Sequence, residues 1–207
     1  NLKNTDANKF PQNLFKPIWQ YNNWSGLLHT EAFPRVFLAN NINIQNNPQK
    51  ILDLIFNPDT DLLTTVILEE KPKELNSSGE FINLPKPSTD SFTSITSYQP
   101  QEIIISVKIN VPQMLFLSDN YYPGWKAYVD TKEVKIYRAD YTFRSIYLPK
   151  GDHKITFIYK PLSFKVGIII SLVSMVLLLI IFLFYSIYTG NPVFINLRNK
   201  IDIFKKQ

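Results

Sequence analysis

From Val166 to Tyr188 the chain reads VGIIISLVSMVLLLIIFLFYSIY, a stretch with no charged residue, amide or proline. At 1.5 Å per residue such a helix reaches about 34 Å, slightly beyond the roughly 30 Å hydrocarbon core of a bilayer. The pattern predicts one transmembrane helix over 166–188. Only Gly167, Ser171, Ser174 and Ser186 interrupt its apolar and aromatic character. A serine inside a helix can return its hydroxyl to the carbonyl four residues back, so it need not stay unpaired in lipid. Tyr185 and Tyr188 stand at the far end, where amphipathic rings favour the headgroup level. A helix enclosed in a soluble core is the alternative, but the rest of the chain looks too β-rich to surround it.

Ahead of the helix the periodicity changes. Residues 1–30 are polar and Asn-rich, with Phe15, Ile18, Trp19, Tyr21 and Trp24 scattered among them, and read as an irregular lead-in. RVFLA at 35–39 and TTVIL at 64–68 read as strands rich in branched side chains. Between them Asn47-Pro48 signals a helix start, with Ile51, Leu52, Ile55 and Phe56 as its apolar face and Asn57-Pro58 as its stop. Residues 71–89 hold Pro72, Pro85, Pro87 and Ser77-Ser78-Gly79, which predicts a mobile, protease-prone surface loop.

From Phe92 onward short alternating runs follow one another. Ile103, Ile105, Val107 and Ile109 share one strand face, with Ser106 and Lys108 on the other. Further strands are expected at 114–117, 125–129, 134–138, 143–148 and 153–159, with a turn at 130–133. Such spacing predicts an antiparallel β-sandwich or jelly-roll-like domain over 31–164, carrying one short helix. Its last strand passes through Pro161 almost directly into the membrane helix, which predicts a domain standing close to the bilayer surface.

Charge alters this picture only at the end of the chain. The formal charge is +5. Much of that surplus is Arg198, Lys200, Lys205 and Lys206 set against Asp202. The domain itself is near neutral and lacks a basic stripe, which excludes a nucleic-acid partner. Lys150, Lys154, Lys160 and Lys165 balance the basic residues on the far side of the helix, so flanking charge does not orient it. In the tail, 189–207, Phe194, Leu197, Ile201 and Phe204 recur at three- and four-residue spacing among basic residues. That suits an amphipathic helix on an anionic cytoplasmic leaflet, with disorder as the alternative. The absence of cysteine excludes disulfides and thiolate chemistry. His29 and His153 lie far apart without an i, i+4 partner, so neither metal nor cofactor is expected. The opening Asn1-Leu2-Lys3 has no initiator Met or export leader, and the chain is expected to be the C-terminal piece of something longer.

The densest chemistry lies in SDNYYPGWKAYVD at 118–130. Tyr121, Tyr122 and Trp125 offer flat rings with polar edges, suited to stacking on a sugar, while Asp119 and Asn120 can hydrogen-bond its hydroxyls. Equally, Trp125 and one tyrosine can plug a core while Asp119 caps the turn. Arg138 and Arg144 can clamp a phosphate or uronic carboxylate, or pair with Asp140 and Asp130 across a hairpin.

This segment, with Tyr137-Arg138-Ala139-Asp140-Tyr141, Phe143-Arg144, Leu148-Pro149-Lys150-Gly151-Asp152-His153-Lys154-Ile155 and Tyr159-Lys160-Pro161-Leu162-Ser163-Phe164, resembles one family. It is the C-terminal region of the bacterial membrane protein YfhO family, which groups with GT-C-type polytopic glycosyltransferases. Phe33-Pro34-Arg35-Val36-Phe37-Leu38 and Thr65-Val66-Ile67-Leu68-Glu69 are similar to two further family segments, so the resemblance runs from about Leu28 to Ser171. It implies a protein of the bacterial cytoplasmic membrane that moves a sugar from a polyprenyl-phosphate donor onto a cell-surface glycan. The β-domain would lie on the outer face, the C-terminus in the cytoplasm, and the catalytic acids in an early loop outside this chain. This fragment would then bind the acceptor or act as a scaffold. A membrane-anchored carbohydrate- or protein-binding module without catalysis is the alternative, and a structural lid a third. The family's Asp-Gly-Lys hairpin reads Asp130-Thr131-Lys132 here, which leaves its turn type open.

Overall fold

The computed structural model describes residues 2–3, 10–11, 13–76 and 79–189. In chain order the strands are β1 (Leu2–Lys3), β2 (Phe15–Tyr21), β3 (Trp24–His29), β4 (Val36–Ala39), β5 (Asn41–Ile44), β6 (Thr65–Leu68), β7 (Phe81–Asn83) and β8 (Phe92–Gln99). There follow β9 (Glu102–Ile109), β10 (Gln113–Leu117), β11 (Trp125–Val129), β12 (Lys132–Val134), β13 (Tyr137–Ala139), β14 (Phe143–Leu148) and β15 (Gly151–Tyr159). Helix α1 is Pro48–Ile55 and helix α2 is Leu162–Tyr188. The protein is mainly β, as the alternating pattern implies.

Burial follows side-chain type strand by strand. All five residues of β10, QMLFL, are buried. A strand covered on both faces must be central, and β10 lies inside a seven-stranded sheet of order β4-β10-β14-β13-β6-β5-β7. Strand β9 instead buries alternate residues, with Ile103, Ile105, Val107 and Ile109 inward as predicted. It belongs to a five-stranded sheet of order β12-β11-β15-β9-β8. The guanidinium of Arg144 in β14 lies over the Phe157 ring of β15, 5.4 Å from its centroid, so the two sheets meet face to face. Phe37, Ile42, Leu68, Met114, Phe116 and Tyr137 belong to a further apolar cluster on the other face of the larger sheet.

Strands β5 and β6 pair in parallel, and α1 lies in the crossover between them. The Asn47 side chain accepts hydrogen bonds from the Gln49 and Lys50 amides, and Pro48 opens the first turn. Only part of the expected apolar face is used. Ile51 is buried, whereas Phe56 falls on the C-cap and points into solvent, 79% exposed.

Three further expectations need correction. Residues 15–29 are not irregular: β2 and β3 pair as an antiparallel hairpin, with a bulge between Pro17 and Trp19 that hides the alternation. The segment 71–89 is not one mobile loop. Its prolines flank β7, which pairs with β5 and buries Ile82, while Leu75 and Leu84 pack on the apolar cluster. The strand expected over 134–138 breaks at Lys135-Ile136, because β12 belongs to the smaller sheet and β13 to the larger. The hairpin between β11 and β12 turns on Asp130 and Thr131, with Val129 opposite Lys132. Positive φ falls on Asp130, at 57°, and not on Thr131, so the family's glycine is dispensable at that place.

The chain forms two compact units, Asn1–Tyr122 with Lys126–Ile158, and Pro123–Trp125 with Tyr159–Gln207. In the second, the Lys160 amide donates to the Gly124 carbonyl at 2.7 Å. Gly124 has φ 105°, and a side chain there would press on Tyr159 and Pro161, so glycine is required twice over. Helix α2 starts at Leu162, ahead of the apolar run, because Ser163, Phe164 and Lys165 are all helix-compatible. It is the candidate membrane span among the described residues, and its apolar window faces outward throughout. Ser174 donates to the Ile170 carbonyl at 2.9 Å, as the lipid setting demands. The expected amphipathic tail helix lies outside the described residues.

Candidate functional site

The loop that leaves β10 is held at its base by three strands. Leu117 pairs with Val36 of β4 and with Arg144 of β14, which brings Arg35 and Arg144 to its flanks. The Ser118 amide donates to the Arg35 carbonyl at 2.9 Å, and the Asp119 amide donates back to Leu117 at 2.7 Å. This tight turn aims the Asp119 carboxylate inward. Arg144 Nη2 donates to it at 3.0 Å, and Arg35 Nε lies 3.7 Å from its other oxygen. The Tyr98 hydroxyl of β8 donates to the same carboxylate at 3.1 Å.

The electrostatics follow from depth. Arg144 is 2% exposed, and burial pushes its pKa down while Asp119 holds it up. Arg35 remains open to solvent and lies over the Tyr98 ring, 4.6 Å from its centroid. Burial first, then the neighbouring Asp119 charge, raises the Tyr98 pKa, so its hydroxyl stays a donor. Two guanidiniums around one carboxylate leave the cluster with a positive excess, open to water at Arg35.

Beyond Asp119 the loop turns outward. The Tyr121 amide donates to the Thr142 carbonyl at 2.6 Å, and the Thr142 hydroxyl reaches Asn120 Oδ1 at 3.5 Å. Tyr121 and Tyr122 then present their rings to solvent, 43% and 61% exposed. Neither is a core plug.

The arginines do not pair as the hairpin alternative expects. Arg144 takes Asp119, and Arg138 takes Glu69 at 3.2 Å while lying over the Tyr141 ring. Register sets Arg138 directly opposite Arg144 on the adjoining strand, but the two guanidiniums go to separate carboxylates. Asp130 instead holds His153 Nδ1 at 3.0 Å and the Lys154 amide, which lower its pKa in that order. Asp140 accepts from the Ile67 amide. Trp125 belongs to the second unit, where its ring packs against Tyr159 at 5.4 Å.

Sequence reasoning therefore picks out Asp119, Asn120, Tyr121, Tyr122 and Arg144 around one loop, and misses Arg35 and Tyr98. A concavity of about 560 Å³ opens beside the β11–β12 hairpin between Glu74, Asp130, Lys132, Tyr147 and His153. Among the described residues no group of three His, Asp or Glu side chains forms a metal-binding set.

Residues 83–171 match a family model described as Bacterial membrane protein YfhO. Over 81 residues the chain is 35% identical to the "Uncharacterized protein YfhO" of Bacillus subtilis (strain 168). That match covers 39% of this chain and 9% of the relative's length. No solved structure matches.

Proposed function

Because the stretch from 83 to 171 belongs to the YfhO family of bacterial membrane proteins, we propose that this chain serves a polytopic membrane glycosyltransferase. The parent enzyme would move a sugar from a polyprenyl-phosphate donor onto a cell-surface glycan, with its catalytic acids outside this chain. The β-domain, on the outer face of the cytoplasmic membrane, holds the acceptor. The observation that carries this reading is the pairing of exposed Tyr121 and Tyr122 rings with a loop base pinned by Asp119. Rings whose backbone is already ordered lose little entropy when a sugar stacks on them. Arg35 adds a cation at the loop's flank for an acidic or phosphorylated sugar.

Binding of wall-polymer fragments to the chain in nanodiscs tests this. Tyr121→Ala and Tyr122→Ala together should weaken binding about tenfold, the worth of roughly one stacked ring. Wild-type affinity in the double variant, with far-UV circular dichroism unchanged, sinks the acceptor reading.

Placement on the outer face has its own test, made clean by the absence of native cysteine. Asp90→Cys lies in an exposed turn. It should react with a membrane-impermeant maleimide in intact cells. Labelling that begins only after lysis would put the domain inside.

A further inference from the structure

The β2–β3 hairpin reverses the usual order of a surface sheet. Register pairs Tyr21 with Trp24, Trp19 with Gly26 and Lys16 with Leu28, so these six positions share one face. The other face carries Ser25, which is buried, and Phe15, whose ring packs on Phe10 and His29. The outward face is thus the aromatic one. Trp19, Tyr21, Trp24 and Leu28 on it, with Ile18 in the adjoining bulge, are between 43% and 71% exposed. Gly26 makes this arrangement possible, because any Cβ there would collide with the Trp19 indole. The indole therefore lies along its neighbouring strand and shows its outer face to the surroundings.

A contiguous apolar surface of this kind marks a binding face. Its chemistry selects the occupant. A platform for sugar rings needs aromatic faces and hydrogen-bonding groups, but gains little from Ile18 and Leu28. A lipid headgroup boundary uses both kinds of residue: aliphatic chains reach the acyl edge, while indole N–H and phenol O–H stay at the wet level. Charge agrees. From residue 10 to 30 there is no carboxylate, and Lys16 is the one Lys or Arg, so an anionic leaflet meets no repulsion. Lys16 shares the aromatic face, where its ammonium can reach a phosphate.

We propose that the Trp19–Tyr21–Trp24–Leu28 face of the hairpin is a lipid-contact surface that seats in the headgroup region of a bilayer. It stands apart from the acceptor reading, since none of its residues belongs to the Tyr121–Tyr122 loop.

The chain has three tryptophans, and Trp125→Phe leaves Trp19 and Trp24 as the reporters while keeping a ring against Tyr159. That variant is reconstituted in nanodiscs containing phosphatidylglycerol. A lipid nitroxide near the headgroup should quench its emission about twofold, and one at the bilayer centre distinctly less, as an interfacial indole requires. Aqueous iodide should quench weakly. Adding Trp19→Phe or Trp24→Phe should leave the remaining indole with the same order of quenchers. Strong iodide quenching without nitroxide quenching would show the face open to water. Protection from both would show it covered by protein, a second copy included. Protection that depends on an added soluble glycan would make it a sugar platform. Each of these three results overturns the proposal.

Discussion

Asp119→Ala is expected to lower the unfolding free energy by about 3–5 kcal/mol, because it leaves the buried Arg144 guanidinium without its carboxylate. Arg144 cannot escape by losing its proton, since a guanidinium stays charged even where burial pushes its pKa down. The loss is therefore a desolvation cost and not merely one missing contact. Asp119→Asn should lose a comparable amount, as the amide keeps the shape but not the charge. Replacing both partners, Asp119→Asn with Arg144→Met, should recover much of the loss, since a buried pair is worth little against an apolar substitute. Lys126→Ala is the control. It breaks the exposed Lys126–Glu133 pair, 2.9 Å apart, and should leave stability nearly unchanged. Urea unfolding of the chain in nanodiscs, followed by near-UV circular dichroism, reads all four variants. An Asp119→Ala protein as stable as the Lys126→Ala one would show that the cluster carries no such burden. The same cluster anchors the loop at 118–122, so Asp119→Ala should also loosen Tyr121 and Tyr122.

What the chain discloses by pattern is what depends on neighbours in sequence. Asn47-Pro48 before α1, the branched runs of β6 and β9, and the apolar run of α2 are local signals, and each element stands within a few residues of its expected place. Elements that owe their form to distant partners were hidden. Strand β7 has three residues and exists because β5 offers it an edge, which no window around Pro85 and Pro87 can reveal. The hairpin at 15–29 conceals its alternation behind one bulge and an outward apolar face, so its aromatics look scattered. The site shows the same divide. Tyr121 and Tyr122 stand out in a dense local motif, whereas Arg35 and Tyr98 reach Asp119 through sheet topology. Asp119, Asp130 and Asp140 look alike in sequence. Folding gives the first to Arg144, the second to His153 and Lys154, and the third to the Ile67 amide.

That third carboxylate predicts an unusual pH response. Asp140 is 7% exposed, and its burial raises its pKa from the ordinary 3.8 to about 6, against the opposing pull of the Ile67 amide. The folded chain therefore keeps a proton that the unfolded chain has released, and stability falls as pH rises from about 4 to about 6. The full penalty, reached above the folded value, is about 3 kcal/mol at roughly 1.4 kcal/mol per pH unit. Asp130 works the other way. Its lowered pKa adds stability above the unfolded value, lost only as pH falls through the lower folded value, so the two windows do not overlap. The fold tolerates Asp140 because it clamps β6 to the turn twice. Its amide donates to the Ile67 carbonyl at 2.9 Å and its Oδ1 accepts from the Ile67 amide at 2.8 Å, beyond the Ala139–Leu68 pairing. Asp140→Asn keeps both bonds, suits the left-handed φ of 44°, and has nothing to ionise. The variant should match the parent near pH 4 and exceed it near pH 7.5, by up to about 3 kcal/mol. Its urea midpoint should also stay level between pH 4 and 6, where the parent's declines. A variant that is weaker at pH 7.5, or that keeps the parent's slope, would mean that Asp140 is ionised and stabilising in the folded protein.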